Sequence, residues 1–122
     1  MTKSSGPGQP CSYKVKASPY FRLSVQRLSA FLSRKYSAKH AMNNKKTLQE
    51  KITRILPDHP YIAPISSRLV ELGISDFRQW AVDEHNIIFY RVADKEAEII
   101  LLLAMDGRQD IHKLLHELVL LK

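Results

Sequence analysis

Three groups of residues in this chain have side chains and spacings suited to chemistry. His85 follows Asp83 and Glu84, so an imidazole stands beside two carboxylates in a polar turn. Arg78, Arg91 and Arg108 are isolated arginines in or beside apolar runs, where a guanidinium can hold a phosphate or anchor a protein interface. His112 and His116 lie four apart with Glu117 adjacent, a helical spacing that can chelate a metal. No third ligand stands at a matching spacing. The pair therefore reads as helix-surface histidines, and no metal or other cofactor is implied.

These groups depend on a simple series of elements. Tyr13 to Ala17 (YKVKA) alternates like a strand. Ser18-Pro19 opens a helix, serine as cap and proline at the first position. Phe21, Val25, Leu28, Leu32 and Tyr36 form its apolar face; Arg22, Gln26, Arg27, Ser29 and Arg34 lie opposite. A second helix follows from about Ala38 to Leu56, with a weak point at Asn43-Asn44, and Pro57 ends it. Pro60 and Pro64 keep the next stretch extended, and Arg68–Leu72 continues it towards a strand at Phe77–Val82. Asp83-Glu84-His85 turns into a strand at Asn86–Ala93. Asp94–Ala97 turns again into Glu98–Met105, the most apolar strand and the expected sheet centre. Asp106-Gly107 breaks it, and Asp110 caps a helix striped by Ile111, Leu114, Leu115 and Leu118. The expected order is β-α-α-β-β-β-α, an α+β domain over residues 13–122. Residues 1–12, with Gly6, Pro7, Gly8 and Pro10, read as a disordered leader.

Composition bounds the rest. A chain of 122 residues with 44% hydrophobic content forms one domain with a modest core. The longest apolar run, Ile99 to Met105, is far short of the ~20 residues of a membrane span. The first residues lack the apolar segment of a secretory signal. Cys11 is the single cysteine, so no internal disulfide forms. A cytoplasmic protein is expected. Charge is lopsided: Met1–Leu56 carries twelve Lys or Arg against Glu50 alone, and Pro57–Lys122 carries seven against eleven acids. The basic half would attract polyanions or an acidic protein surface.

The YRV strand (Tyr90, Arg91, Val92), the DGRQD strand end (Asp106 to Asp110) and the two-helix hairpin together resemble the RelE/ParE superfamily of bacterial toxins, over Tyr13 to about Leu118. The resemblance implies a small antiparallel sheet with a helical hairpin on one face. It also implies a toxin silenced by a cognate antitoxin, reaching operator DNA only through that antitoxin. Some members are ribosome-dependent mRNA endonucleases; the ParE branch poisons DNA gyrase. Matched through Tyr90, the family's working positions fall at Arg78, Trp80, Ile87, Arg108 and about Leu114. Only Arg78 and Arg108 keep a basic group.

The resemblance therefore favours the ParE-like branch. Arg78, Trp80, Phe89, Arg91 and Arg108 are expected to bind the target on a concave, aromatic sheet surface. The alternative is a ribonuclease acting on mRNA at the ribosome, with Arg78 and Arg108 on the phosphate and His85 or His112 moving protons. A nucleic-acid-binding module built on the basic hairpin ranks third. Under the first two readings Lys39, Lys45, Lys46, Lys51 and Arg54 dock an acidic antitoxin segment that folds on binding.

Overall fold

The computed structural model describes residues 12–121, with side chains as far as Leu118; Cys11 and nearly all of the expected leader lie outside the described residues. The elements are β1 (Lys14–Ala17), α1 (Pro19–Lys35), α2 (Ala38–Ile55), α3 (Ser67–Glu71), β2 (Arg78–Ala81), β3 (Asn86–Ala93), β4 (Glu98–Asp106) and α4 (Ile111–Leu121). No helix among the described residues is long and apolar enough to cross a membrane.

Serine and aspartate caps start the helices. Ser18 Oγ accepts the Phe21 N–H at 3.1 Å and Ser37 Oγ the His40 N–H at 3.0 Å. Asp110 Oδ1 accepts the N–H groups of His112 and Lys113. α2 runs through Asn43-Asn44 without a break. The segment expected to stay extended, Arg68–Leu72, is instead mostly the short helix α3. Ser66 Oγ caps it from outside by accepting the Leu69 N–H, and Gly73 closes it at φ 83°. Leu69 is thereby carried into the core, fully buried.

The sheet order is β1-β4-β3-β2. β2, β3 and β4 form the expected antiparallel meander, whereas β1 joins β4 in parallel, Val15 opposite Ile99. The helical hairpin returns the chain to the same end of the sheet, which makes that pair parallel. Each face has its own core. Under the hairpin, Leu28, Leu32, Leu48, Ile52 and Leu56 pack on Trp80, Ile88, Tyr90, Ile99 and Leu101. On the other face, Ile111, Leu114 and Leu118 of α4, with Leu69 of α3, pack on Phe89, Leu103 and Met105. Each such side chain contributes about 1.5–3 kcal/mol of burial.

A bulge interrupts β4: Phe89 stands opposite Leu103 but Tyr90 opposite Leu101, leaving Leu102 as the extra residue. Ile99 and Leu101 face the hairpin, Leu103 and Met105 face α4, and Ala104 faces the hairpin again. Asp106 consequently lies on the hairpin side, opposite Asn86. β1 ends at Ala17, so the adjoining edge of β4 needs another partner. Ser24 Oγ, fully buried on α1, accepts the Ala104 N–H at 2.9 Å and donates to the Phe21 carbonyl at 2.7 Å.

Ser24→Ala would leave the Ala104 N–H buried without an acceptor. A loss of about 2 kcal/mol in urea denaturation is expected; an unchanged midpoint would show that β4 finds another partner there.

Candidate functional site

Chemistry-bearing side chains gather where three chain segments meet: the α1–α2 junction, the β2–β3 turn, and the end of β4 with the turn that follows it. They line a cleft of about 260 Å³ that includes His40, Asn44, Asp83, Glu84, His85, Asn86, Asp106 and Arg108. Its walls are held by hydrogen bonds rather than by apolar packing alone.

Arg108 is the anchor. Its Nε and Nη2 donate to the two carboxylate oxygens of Asp106 at 2.8 and 2.7 Å, a bidentate pair, and the Arg108 backbone N–H adds a third bond to Oδ1. Nη1 reaches across to donate to the Tyr36 hydroxyl at 2.7 Å. Burial alone would push the Asp106 carboxyl up, but the bonds from Arg108 outweigh it and hold the carboxyl below the usual range. The same bonds from Asp106 and Tyr36 hold the guanidinium firmly charged. Its side chain is one-third exposed, so one face remains open to the cleft.

The opposite wall is an amide clasp. Asn86, nearly buried, donates from Nδ2 to Asn44 Oδ1 and to Asp83 Oδ2, both at 2.9 Å, and Asn44 Nδ2 donates back at 3.1 Å. Asp83 Oδ1 also accepts the N–H groups of His85 and Asn86. Burial raises the Asp83 carboxyl, and the Asn86 and His85 donors more than reverse that, leaving it below its ordinary value. The turn is thus rigid, and His85 projects from it with Nε2 3.4 Å from Glu84 Oε1, both exposed. His40, in the first turn of α2, stacks on Tyr36 with ring centroids 4.4 Å apart.

Of the residues expected at a site, His85 and Arg108 come together here. His112 stays outside, exposed on the first turn of α4 with Nδ1 3.8 Å from Asp110, and the His112–His116 pair finds no third ligand among the described residues. Trp80 and Phe89, expected on an exposed target-binding surface, are core residues on opposite faces of the sheet, 7% and 0% exposed. The cause is that both faces of β2 and β3 are covered, one by the hairpin and the other by α3 and α4. Ile87 and Leu114 likewise pack in the α4-side core.

Arg78 and Arg91 line a separate hollow of about 500 Å³ with Tyr61 and Asp94. There Arg78 donates to the Ala63 carbonyl at 2.7 Å and lies 4.7 Å over the Tyr61 ring. Tyr61 and Tyr13 both donate to Asp94 Oδ1. The bond to Asp94 pushes the Tyr61 hydroxyl up to about 12. Lys39, Lys45, Lys46 and Arg54 are exposed along α2, and Lys51 is half-buried.

Sequence reasoning missed Tyr36, His40 and Asn44. The spacing of α1 places Tyr36 on its apolar face, but the residue is the C-cap and half exposed. The available signal was the Tyr36-x-x-x-His40 spacing across a helix junction capped by Ser37.

A chain of the toxin–antitoxin complex RelBE2 from Mycobacterium tuberculosis superposes with a TM-score of 0.56 at 12% identity, covering 78% of this chain and 98% of that one. The fold is RelE-like. No protein-family model and no curated protein sequence matches the chain.

Asp106→Asn tests the Asp106–Arg108 pair at the end of β4. The unfolded chain protonates this carboxyl near its ordinary pKa of about 3.9, above the folded value. Its stabilising effect is therefore complete at neutral pH and is lost as pH falls through the folded pKa. The variant is expected to lose about 2 kcal/mol at pH 7 and to show a flatter acid limb. Identical stability–pH curves would remove the pair as an anchor.

Proposed function

We propose that this chain is the toxin of a type II toxin–antitoxin pair and that it acts as an endoribonuclease, with mRNA on the ribosome as its substrate. The observation that carries the reading is the cleft itself, where two imidazoles and a guanidinium line one hollow and a phenol, Tyr36, touches both His40 and Arg108. Cleavage of RNA at its own 2′-hydroxyl needs that set. One imidazole, of His40 or His85, takes the hydroxyl proton as the oxygen attacks phosphorus. Arg108 stabilises the charged phosphorane. The other imidazole gives a proton to the departing 5′-oxygen, leaving a 2′,3′-cyclic phosphate. The bond to Tyr36 and the clamp on Asp106 hold Arg108 ready without reorganisation.

The gyrase-directed reading of the same fold asked for an aromatic protein-binding surface, and its two aromatic members, Trp80 and Phe89, are buried. Arg78, Arg91 and Arg108 remain accessible to it. The ribonuclease reading is therefore preferred.

A cognate antitoxin completes the proposal. The exposed cations of α2 suit an acidic segment. Lys45 also borders an apolar groove of about 340 Å³, lined by Val15, Phe21, Val25, Leu48 and Ile52 beside the edge strand β1. An acidic, partly apolar segment that folds on binding would use both.

Ribosome-programmed mRNA cleavage is expected for the wild type, slowed about 10²–10⁴-fold by His85→Ala, by His40→Ala and by Arg108→Lys. No cleavage, together with linearised plasmid trapped in a gyrase supercoiling reaction, would decide for the gyrase reading instead. Reversing charge at Lys45 and Lys46 is expected to weaken the antitoxin complex at low salt; unchanged affinity there would remove α2 as the docking face.

A further inference from the structure

Beside the cleft runs a second hollow of about 270 Å³ between α1 and α4, and Arg108 lines both. Arg27 and Arg34, seven residues apart, lie on one face of α1, about 10.5 Å apart along its axis, with half-buried Phe31 between them. Lys113 of α4 stands across from them. Arg34 and Lys113 have no side-chain hydrogen bond or ion pair with any described residue. Two carboxylates offset part of this charge: Glu117 pairs with Arg27 at 3.9 Å, and Asp110 caps α4 while keeping its charge.

We infer that this groove is a subsite for single-stranded RNA, seating a nucleotide adjacent to the one held in the His40–His85 cleft. The inference rests on the ribonuclease reading and names where the substrate strand continues. Arg34 and Lys113, cations without an ion-pair partner, flank the half-buried Phe31 ring in a groove whose basic side chains outnumber its carboxylates, the combination that holds backbone phosphates while a base stacks. Arg108 makes the groove continuous with the cleft, so a polyanion entering one reaches the other. An acidic peptide would satisfy the cations but would leave the ring between them without a stacking partner.

The experiment is fluorescence anisotropy of the full chain with a short labelled oligouridylate whose 2′-O-methyl sugars block cleavage, titrated over a series of salt concentrations. The double variant Arg34→Gln, Lys113→Gln should bind more weakly, with a log–log salt slope shallower by about 1.4, roughly 0.7 per cation removed. Phe31→Leu, which keeps an apolar side chain in the groove wall, should weaken binding about tenfold and leave the slope unchanged. Affinity and slope unchanged in the double variant would overturn the subsite. So would a wild type that ignores the oligonucleotide but binds poly-glutamate, which assigns the groove to a protein partner. The two proposals separate cleanly. A wild type that fails to cut mRNA while the variants lose RNA affinity sinks the ribonuclease reading and supports the subsite. Cleavage by a wild type whose RNA binding ignores these substitutions sinks the subsite alone.

Discussion

β4 lies inside the sheet, between β1 and β3, with buried side chains facing both helical layers, so nearly all of its peptide groups are removed from water. Each must find a partner, since an orphaned buried N–H costs about as much as several good contacts return. That requirement organises the molecule. β3 supplies one edge throughout, while β1 supplies the other only as far as Leu101. Beyond it the partners are side chains: Ser24 from α1 for Ala104, and Gln109 Oε1 for Asp106. The docking of α1 and the path of the chain after β4 follow from satisfying one strand.

The bulge at Leu102 then decides what the strand end can do. A regular β4 would present Asp106 to the α4-side core, where an aspartate has no compensating donor. One extra residue rotates it towards the hairpin, where Arg108, itself bonded to Tyr36, meets it. A packing irregularity and the polar cleft are thus the same feature seen at two distances. Arg108 is one cation serving two hollows, and its orientation is fixed by a carboxylate that is itself fixed by strand register.

Much of this was legible in the chain. Ser18-Pro19, the apolar spacing of α1 and α2, and the turn residues around β3 and β4 each have a local physical cause. Their elements formed as expected. Arg68–Leu72 misled because its apolar residues suit either state; the Ser66 cap and the pull of Leu69 into the core settle it as helix. Alternation along β2 correctly grouped Arg78 with Trp80, but it could not say whether that face was open. A strand covered on both sides hides the distinction between core and surface. His85 and Arg108 could be singled out by residue type. Tyr36 and His40 share a local spacing across the Ser37 cap, but what they meet depends on where the α1–α2 junction touches the sheet, and the spacing alone does not say that.

The amide clasp between Asn44 and Asn86 has a further consequence. Neutral amides neither titrate nor attract counterions, so the spacing between α2 and the β2–β3 turn is indifferent to acidity and ionic strength across the range where proteins work. An ion pair in the same place would have made the width of the cleft itself a function of its medium. With this tie electrically silent, the cleft's response to protons falls to its titratable groups alone, the Asp83 and Asp106 carboxylates of its walls among them.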